Sequence, residues 1–172
     1  MPSSADIVRN ACNAGLTIPA FNIAHLPMVE PVVRATVDED AFAFLAVSRP
    51  DWMKYEAKSP TAVMNAYRKC RDENHVRLHL DHVPVIDEDG QPVDYELVVN
   101  DALRLGYDSV MLDGSRLPLE ENIAATRRIA DLAHGVGVPC EAELGQVLGH
   151  EAGPPPPYEE LFAAKRGFTR VA

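Results

Sequence analysis

From Thr17 onward the chain alternates short β-prone runs with stretches of helical period. That alternation confines it to folds built of parallel βαβ units. Strands are expected at Thr17–Asn22, Ala41–Val47, Arg77–His82, Asp108–Leu112 and Pro139–Leu144. Helices are expected near Met28–Asp38, Pro60–Asp72, Tyr95–Leu105 and Leu119–His134, the third with Val98, Ala102 and Leu105 on one face. Ahead of them, Ser3 and Asp6 read as an N-cap pair opening a short amphipathic helix that stops at Gly15. Five strands joined in this way suit an open doubly wound sheet or part of a closed (β/α)8 barrel, and periodicity does not choose between them.

At 172 residues and 47% hydrophobic content, the chain can bury one sizeable core, so a single domain over residues 1–172 is expected. A formal net charge of -10 argues against a nucleic acid or an anionic membrane as partner, since both reward clustered Lys and Arg. Cys12, Cys70 and Cys140 are far apart and form no C-x-x-C pair, which suits a reducing cytoplasm better than a disulfide framework or a cysteine zinc site. The first residues lack the basic and apolar regions of a secretory signal.

The polar residues gather at the expected carboxyl ends of strands: Asn22, Ser48, Asp81 with His82, Asp113 and Glu143. Either fold puts its chemistry there. Neighbouring strand residues face opposite ways, so Asp81 and His82 are expected to diverge. His82 is suited to offering an imidazole to a metal and Asp81 to carrying a proton, while the blander reading makes them a strand-end histidine and a turn cap. Asp113 in SVMLDGS and Glu143 in EAELG extend the pattern over three successive strands. Each alone reads equally well as a cap or a solvated loop residue. Two long loops, Val83–Pro92 and Gly145–Pro157, leave the same face and read as lids, substrate walls or, for the four prolines, a stiff spacer.

The blocks IPAFN, HLDH, GYDSVMLDGSRLPLEENI and EAELGQVLGHE, in this order and spacing, resemble those of the class II, metal-dependent fructose-bisphosphate and tagatose-bisphosphate aldolases. The resemblance spans nearly the whole chain. It selects an incomplete TIM (β/α)8 barrel with about five of the eight strands, and it implies a lyase that reversibly splits a ketose bisphosphate into dihydroxyacetone phosphate and an aldehyde. It further implies that His82 is a ligand of the catalytic Zn2+ and that Asp81 is the acid/base at the aldehyde-derived hydroxyl. Asp113 and Glu143 match positions that hold a second divalent metal in members that have one. Glu151 falls near the glutamate that exchanges a proton with the dihydroxyacetone phosphate carbon, and Asn22 and Ser48 match substrate-contacting positions. The four lysines, Lys54, Lys58, Lys69 and Lys165, lie outside the expected strand ends, which agrees with a metal route rather than a Schiff base.

Some features depart from that family. Ser48 is approached through AFLAVSRPDW and followed by Arg49, which reads either as an anion ligand or as a solvated loop residue. Val83 stands where many relatives have glycine, and the acidic loop after it is long. His79 reads as a buried, hydrogen-bonded histidine rather than a second ligand, His25 and His150 as loop residues, and His75 and His134 as surface residues. The family's other two zinc histidines and its Gly-rich phosphate segments would follow Ala172. The expected partners are therefore a small-molecule sugar phosphate and a second chain, as a homo-oligomer or as a chain completing the barrel. Two alternatives stand beside the enzyme: an inactive half-barrel serving as an oligomerising or metal-binding module, and an unrelated α/β binding protein whose acidic strand ends are turns.

Overall fold

The computed structural model describes residues 1–145. Its elements alternate: α1 Ser4–Asn13, β1 Ala20–Asn22, a 3-10 turn at Leu26–Met28, α2 Val29–Asp38, β2 Ala43–Ser48, α3 Arg49–Met53, α4 Pro60–Tyr67, β3 Val76–Pro84, α5 Tyr95–Leu105, β4 Ser109–Asp113, α6 Leu119–His134 and β5 Cys140–Ala142. Local chemistry sets the helix ends. Ser3 and Asp6 close a reciprocal capping box on α1. Asp94 accepts from the Leu97 amide at 3.1 Å to start α5, and Gly106, at φ 94°, ends it in the left-handed conformation that glycine tolerates.

The five strands are parallel throughout and lie in the order β1-β2-β3-β4-β5. A doubly wound sheet reverses direction at a switch point; this one does not, and each strand pairs with its predecessor in the chain. The unreversed order is that of consecutive β/α units of a TIM (β/α)8 barrel. The second strand is covered on both faces, and all six of its residues are buried. Leu45, Val47, Leu78, Leu80, Val110 and Leu112 form the sheet's share of the core, against Val33, Val63, Val99 and Ile129 from the helices. Each such side chain contributes roughly 1.5–3 kcal/mol by leaving water. Tyr67 joins them with its hydroxyl donating to the Val76 carbonyl at 2.6 Å.

At the amino ends of the strands, buried Arg77 donates to the carbonyls of Glu73 and Pro2 and to the Ser4 hydroxyl. It thereby fastens α1 to the side of the sheet away from the strand carboxyl ends.

The structure revises several expected boundaries. Thr17–Pro19 precede the first strand rather than joining it, and α4 stops at Tyr67 instead of Asp72. The five-residue α3 lies in a stretch where no helix was expected. The third strand runs on to Pro84, so Val83 and Pro84 belong to it and not to the loop. No helix of the described residues is long and apolar enough to cross a membrane.

Candidate active site at the carboxyl ends of the strands

The pairing of β3 with β4 slips at one point. Leu80 lies opposite Val110 and Val83 opposite Leu112, so Asp81 and His82 together face the single residue Met111. This is a β-bulge. His82 takes φ 42°, in the left-handed region where histidine is among the few residues found repeatedly. The expected divergence of Asp81 and His82 therefore fails, because the bulge cancels the alternation on which it rested. Both side chains line one cleft of about 490 Å³, and His82 Nε2 lies 3.9 Å from Asp81 Oδ1.

Asn22 and Ser48, from the ends of β1 and β2, line the same cleft. Asn22 Nδ2 donates to Asp81 Oδ2 at 2.8 Å. His79, buried one strand pleat earlier, places Nε2 3.6 Å from Asp81 Oδ1 and Nδ1 3.0 Å from the Ser109 hydroxyl. Burial works to raise the Asp81 carboxyl, but the contacts to His79 and Asn22 outweigh it and the pKa falls below the ordinary value. Asp81 therefore stands in the cleft as a carboxylate. Ser48 gives both its amide and its hydroxyl to Asp51 Oδ2, at 2.7 and 2.8 Å. Asp51 is itself buried and 3.5 Å from Asn22 Nδ2. It was not singled out from the sequence, although Ser48-x-x-Asp51 has the spacing of a helix-opening cap.

On the other side of the bulge, His82 Nδ1 lies 3.7 Å from Asp113 Oδ2 and 3.3 Å from Glu143 Oε2. One donor atom from each of these three residues falls within 4.8 Å of the others. The Asp113 carboxylate, followed by the charges of Asp81 and Glu143, overcomes partial burial and lifts the His82 imidazole to about 9. The electrostatics of the cluster thus favour a positive charge. Backbone placement is tight here: a Cβ on Gly114 would sit 2.2 Å from Asn122 Oδ1. Asn122 is buried and donates to the Glu143 carbonyl at 2.9 Å.

Arg49 is neither a solvated loop residue nor an anion ligand in the cleft. It reaches Asp87 at 3.4 Å and Glu88 at 3.8 Å, and Lys54 pairs with Glu88 at 2.5 Å. Lys54 does line the cleft, which its sequence position did not suggest. Its hydrogen bond to Glu88 raises its pKa and favours the ammonium form. Arg116, in the β4–α6 connection, also lines the cleft and had not been singled out. His75 is half-buried rather than a bare surface residue, held between Asp72 and Asp40. Asn22, Ser48, Asp81, His82 and Asp113 are brought together in one cleft with Glu143 at its edge, whereas Glu151 lies outside the described residues.

Comparison with known proteins gives a coherent result. The family model described as fructose-bisphosphate aldolase class-II matches residues 3–171. Among solved structures, the YdjI aldolase from Escherichia coli K12 superposes with a TM-score of 0.66 at 23% identity, over 85% of this chain and 52% of that one. The fructose-bisphosphate aldolase (Fba) from Campylobacter jejuni gives 0.62 at 22% identity, over 82% and 45%. The chain spans about half the length of these relatives and shares their fold over that span.

Proposed function

The chain belongs to the class II fructose-bisphosphate aldolase family, and on that premise we propose that it serves a metal-dependent aldolase, reversibly cleaving a ketose bisphosphate such as fructose 1,6-bisphosphate to dihydroxyacetone phosphate and an aldehyde. The observation that carries the reading is the bulge, which sets a carboxylate and an imidazole side by side at the mouth of one cleft.

His82, Asp113 and Glu143 fit a divalent cation. Their donors are one imidazole nitrogen and two carboxylate oxygens, close enough to share an ion, in a field that favours positive charge. Zn2+ is the proposed ion, and Asp113 with Glu143 are the proposed holders of a second divalent metal if two are bound. A bound cation supplies Lewis-acid polarisation of the ketose oxygens. The chain's own groups do the rest. In the cleavage direction Asp81, held as a carboxylate by Asn22 and His79, accepts the proton of the hydroxyl on the carbon that becomes the aldehyde as the carbon–carbon bond breaks. In synthesis it returns that proton. Asn22 and Ser48 are proposed to orient the substrate, and Glu151 to exchange the proton of the dihydroxyacetone phosphate carbon. A single domain, a cytoplasmic setting and a partner in a homo-oligomer or completing the barrel belong to the same proposal.

The test is metal content of the purified protein together with a retro-aldol assay on fructose 1,6-bisphosphate. Stoichiometric zinc, turnover abolished by a chelator, and loss of both in His82→Ala are expected. Because the chain spans about half of its solved relatives, a metal-binding module without turnover is the second reading. Zinc retained with no turnover on any of several ketose phosphates would select it.

A further inference from the structure

The segment after β3 is a built wall. The Val85 amide donates to the Asp113 carbonyl at 3.0 Å, and the Val93 amide returns to the Val85 carbonyl at 3.0 Å. Ile86 and Pro92 pair as an antiparallel bridge. Asp87 is buried and accepts from the amides of Asp89 and Gln91 at 3.0 and 2.8 Å, closing the turn from inside. Arg49 then ties Asp87 and Glu88 to α3, and Lys54 adds a second tie to Glu88. A turn so closed presents a fixed surface, and Pro84, Ile86 and Glu88 present theirs to the cleft that holds Asp81.

The charges of this wall are matched in pairs. Glu88 is answered by Lys54, and Asp87 by Arg49. Arg116 lines the cleft half-buried and makes no hydrogen bond or ion pair among the described residues. In a chain of net charge -10, a guanidinium that pairs with no described carboxylate, although three line the same cleft, is open to an anionic ligand.

We infer that the 85–93 segment and Arg116 select the aldehyde-derived half of the ligand: its hydroxyl-bearing chain lies along Ile86 and the Glu88–Lys54 pair, and its anionic end is taken by Arg116. This assignment rests on the aldolase reading of the site, in which Asp81 works on that half. Arg49 is a positioning residue, acting through the segment it ties down.

Fructose 1,6-bisphosphate and fructose 1-phosphate differ only at the anionic end of that half, so retro-aldol kinetics of the full-length protein on the two are the test. Arg116→Gln should lower kcat/KM on the bisphosphate by about 10- to 100-fold, the worth of one charge-assisted hydrogen bond, and leave the monophosphate within about 3-fold. Arg116→Lys should recover part of the loss. Arg49→Gln should raise KM on both ketoses with kcat within about 2-fold, and Arg49→Lys should restore KM. An equal effect of Arg116→Gln on both ketoses, or none on either, overturns the assignment. Calorimetric binding of glycerol 3-phosphate against glycerol needs no turnover. If the wild-type protein cleaves neither ketose, the aldolase reading fails, yet loss of glycerol 3-phosphate binding in Arg116→Gln still upholds the subsite. Absent or unchanged binding sinks it.

Discussion

Asn122 of α6 donates from Nδ2 to the main-chain oxygen of Glu143 at 2.9 Å, so the helix after the fourth strand carries the carboxylate that follows the fifth. Its Oδ1 accepts from Thr126 at 3.0 Å and fills the space that a side chain at Gly114 would need.

Gly114→Ala should displace that amide and break both of its bonds. The expected cost is about 2–4 kcal/mol, since a buried carbonyl loses its donor as well. Urea denaturation measures the loss, and affinity for the proposed cation should fall in parallel because Glu143 is released. Unchanged stability would show that Asn122 has another place to go.

Asp51→Asn should weaken the start of α3 by roughly 1–3 kcal/mol, because a buried carboxylate accepting two hydrogen bonds from Ser48 becomes a neutral amide. The change keeps shape and removes charge. Chemical denaturation gives the stability term, and KM should rise as Ser48 loses its fixed orientation.

His75 makes a pH-dependent tie. Its ring lies 3.0 Å from Asp72 and 3.1 Å from Asp40, and the Asp72 bond, followed by that to Asp40, raises its pKa above 6.5. A raised folded pKa means stability that is fully present below the unfolded value and fades as pH climbs through the folded one. The gap in denaturation midpoint between wild type and His75→Gln should be widest below about pH 6.5 and narrow as the pH rises above it. A gap of constant size across that range would place the effect in packing instead.

Arg77→Met should free α1 while leaving the candidate site intact. The guanidinium donates to Ser4 and to the Pro2 carbonyl from the opposite end of the sheet. Faster amide exchange confined to residues 4–13, with metal binding unaltered, is the expected outcome.

The helices Tyr95–Leu105 and Leu119–His134 were legible from sequence to the residue, because each is long enough to show its period and α5 is bounded by Asp94 and Gly106. The helix Arg49–Met53 was not, since five residues opening with Arg-Pro carry no period. Strand order was open because it depends on pairing between distant segments rather than on local pattern. The polar strand ends were visible as a set, and the ordered blocks named the family. Hidden was the bulge: period-two reasoning assumes an unbroken ladder, and His82 breaks it with a backbone angle that nothing in HLDH announces. Arg49 misled for a related reason, as its partners Asp87 and Glu88 lie nearly forty positions away.

The unreversed strand order also bears on how the protein is made. Each strand finds its partner in the segment that left the ribosome just before it, so the sheet can grow in one direction as synthesis proceeds. The groups of the candidate site then arrive in sequence: Asn22, Ser48, then Asp81 with His82, then Asp113. Glu143 comes after all of them, so until the fifth strand docks the nascent sheet holds Asp81 and His82 without the full set of carboxylates around His82. The cation proposed for this cluster should therefore be captured late, by a scaffold whose first four strands are already in place.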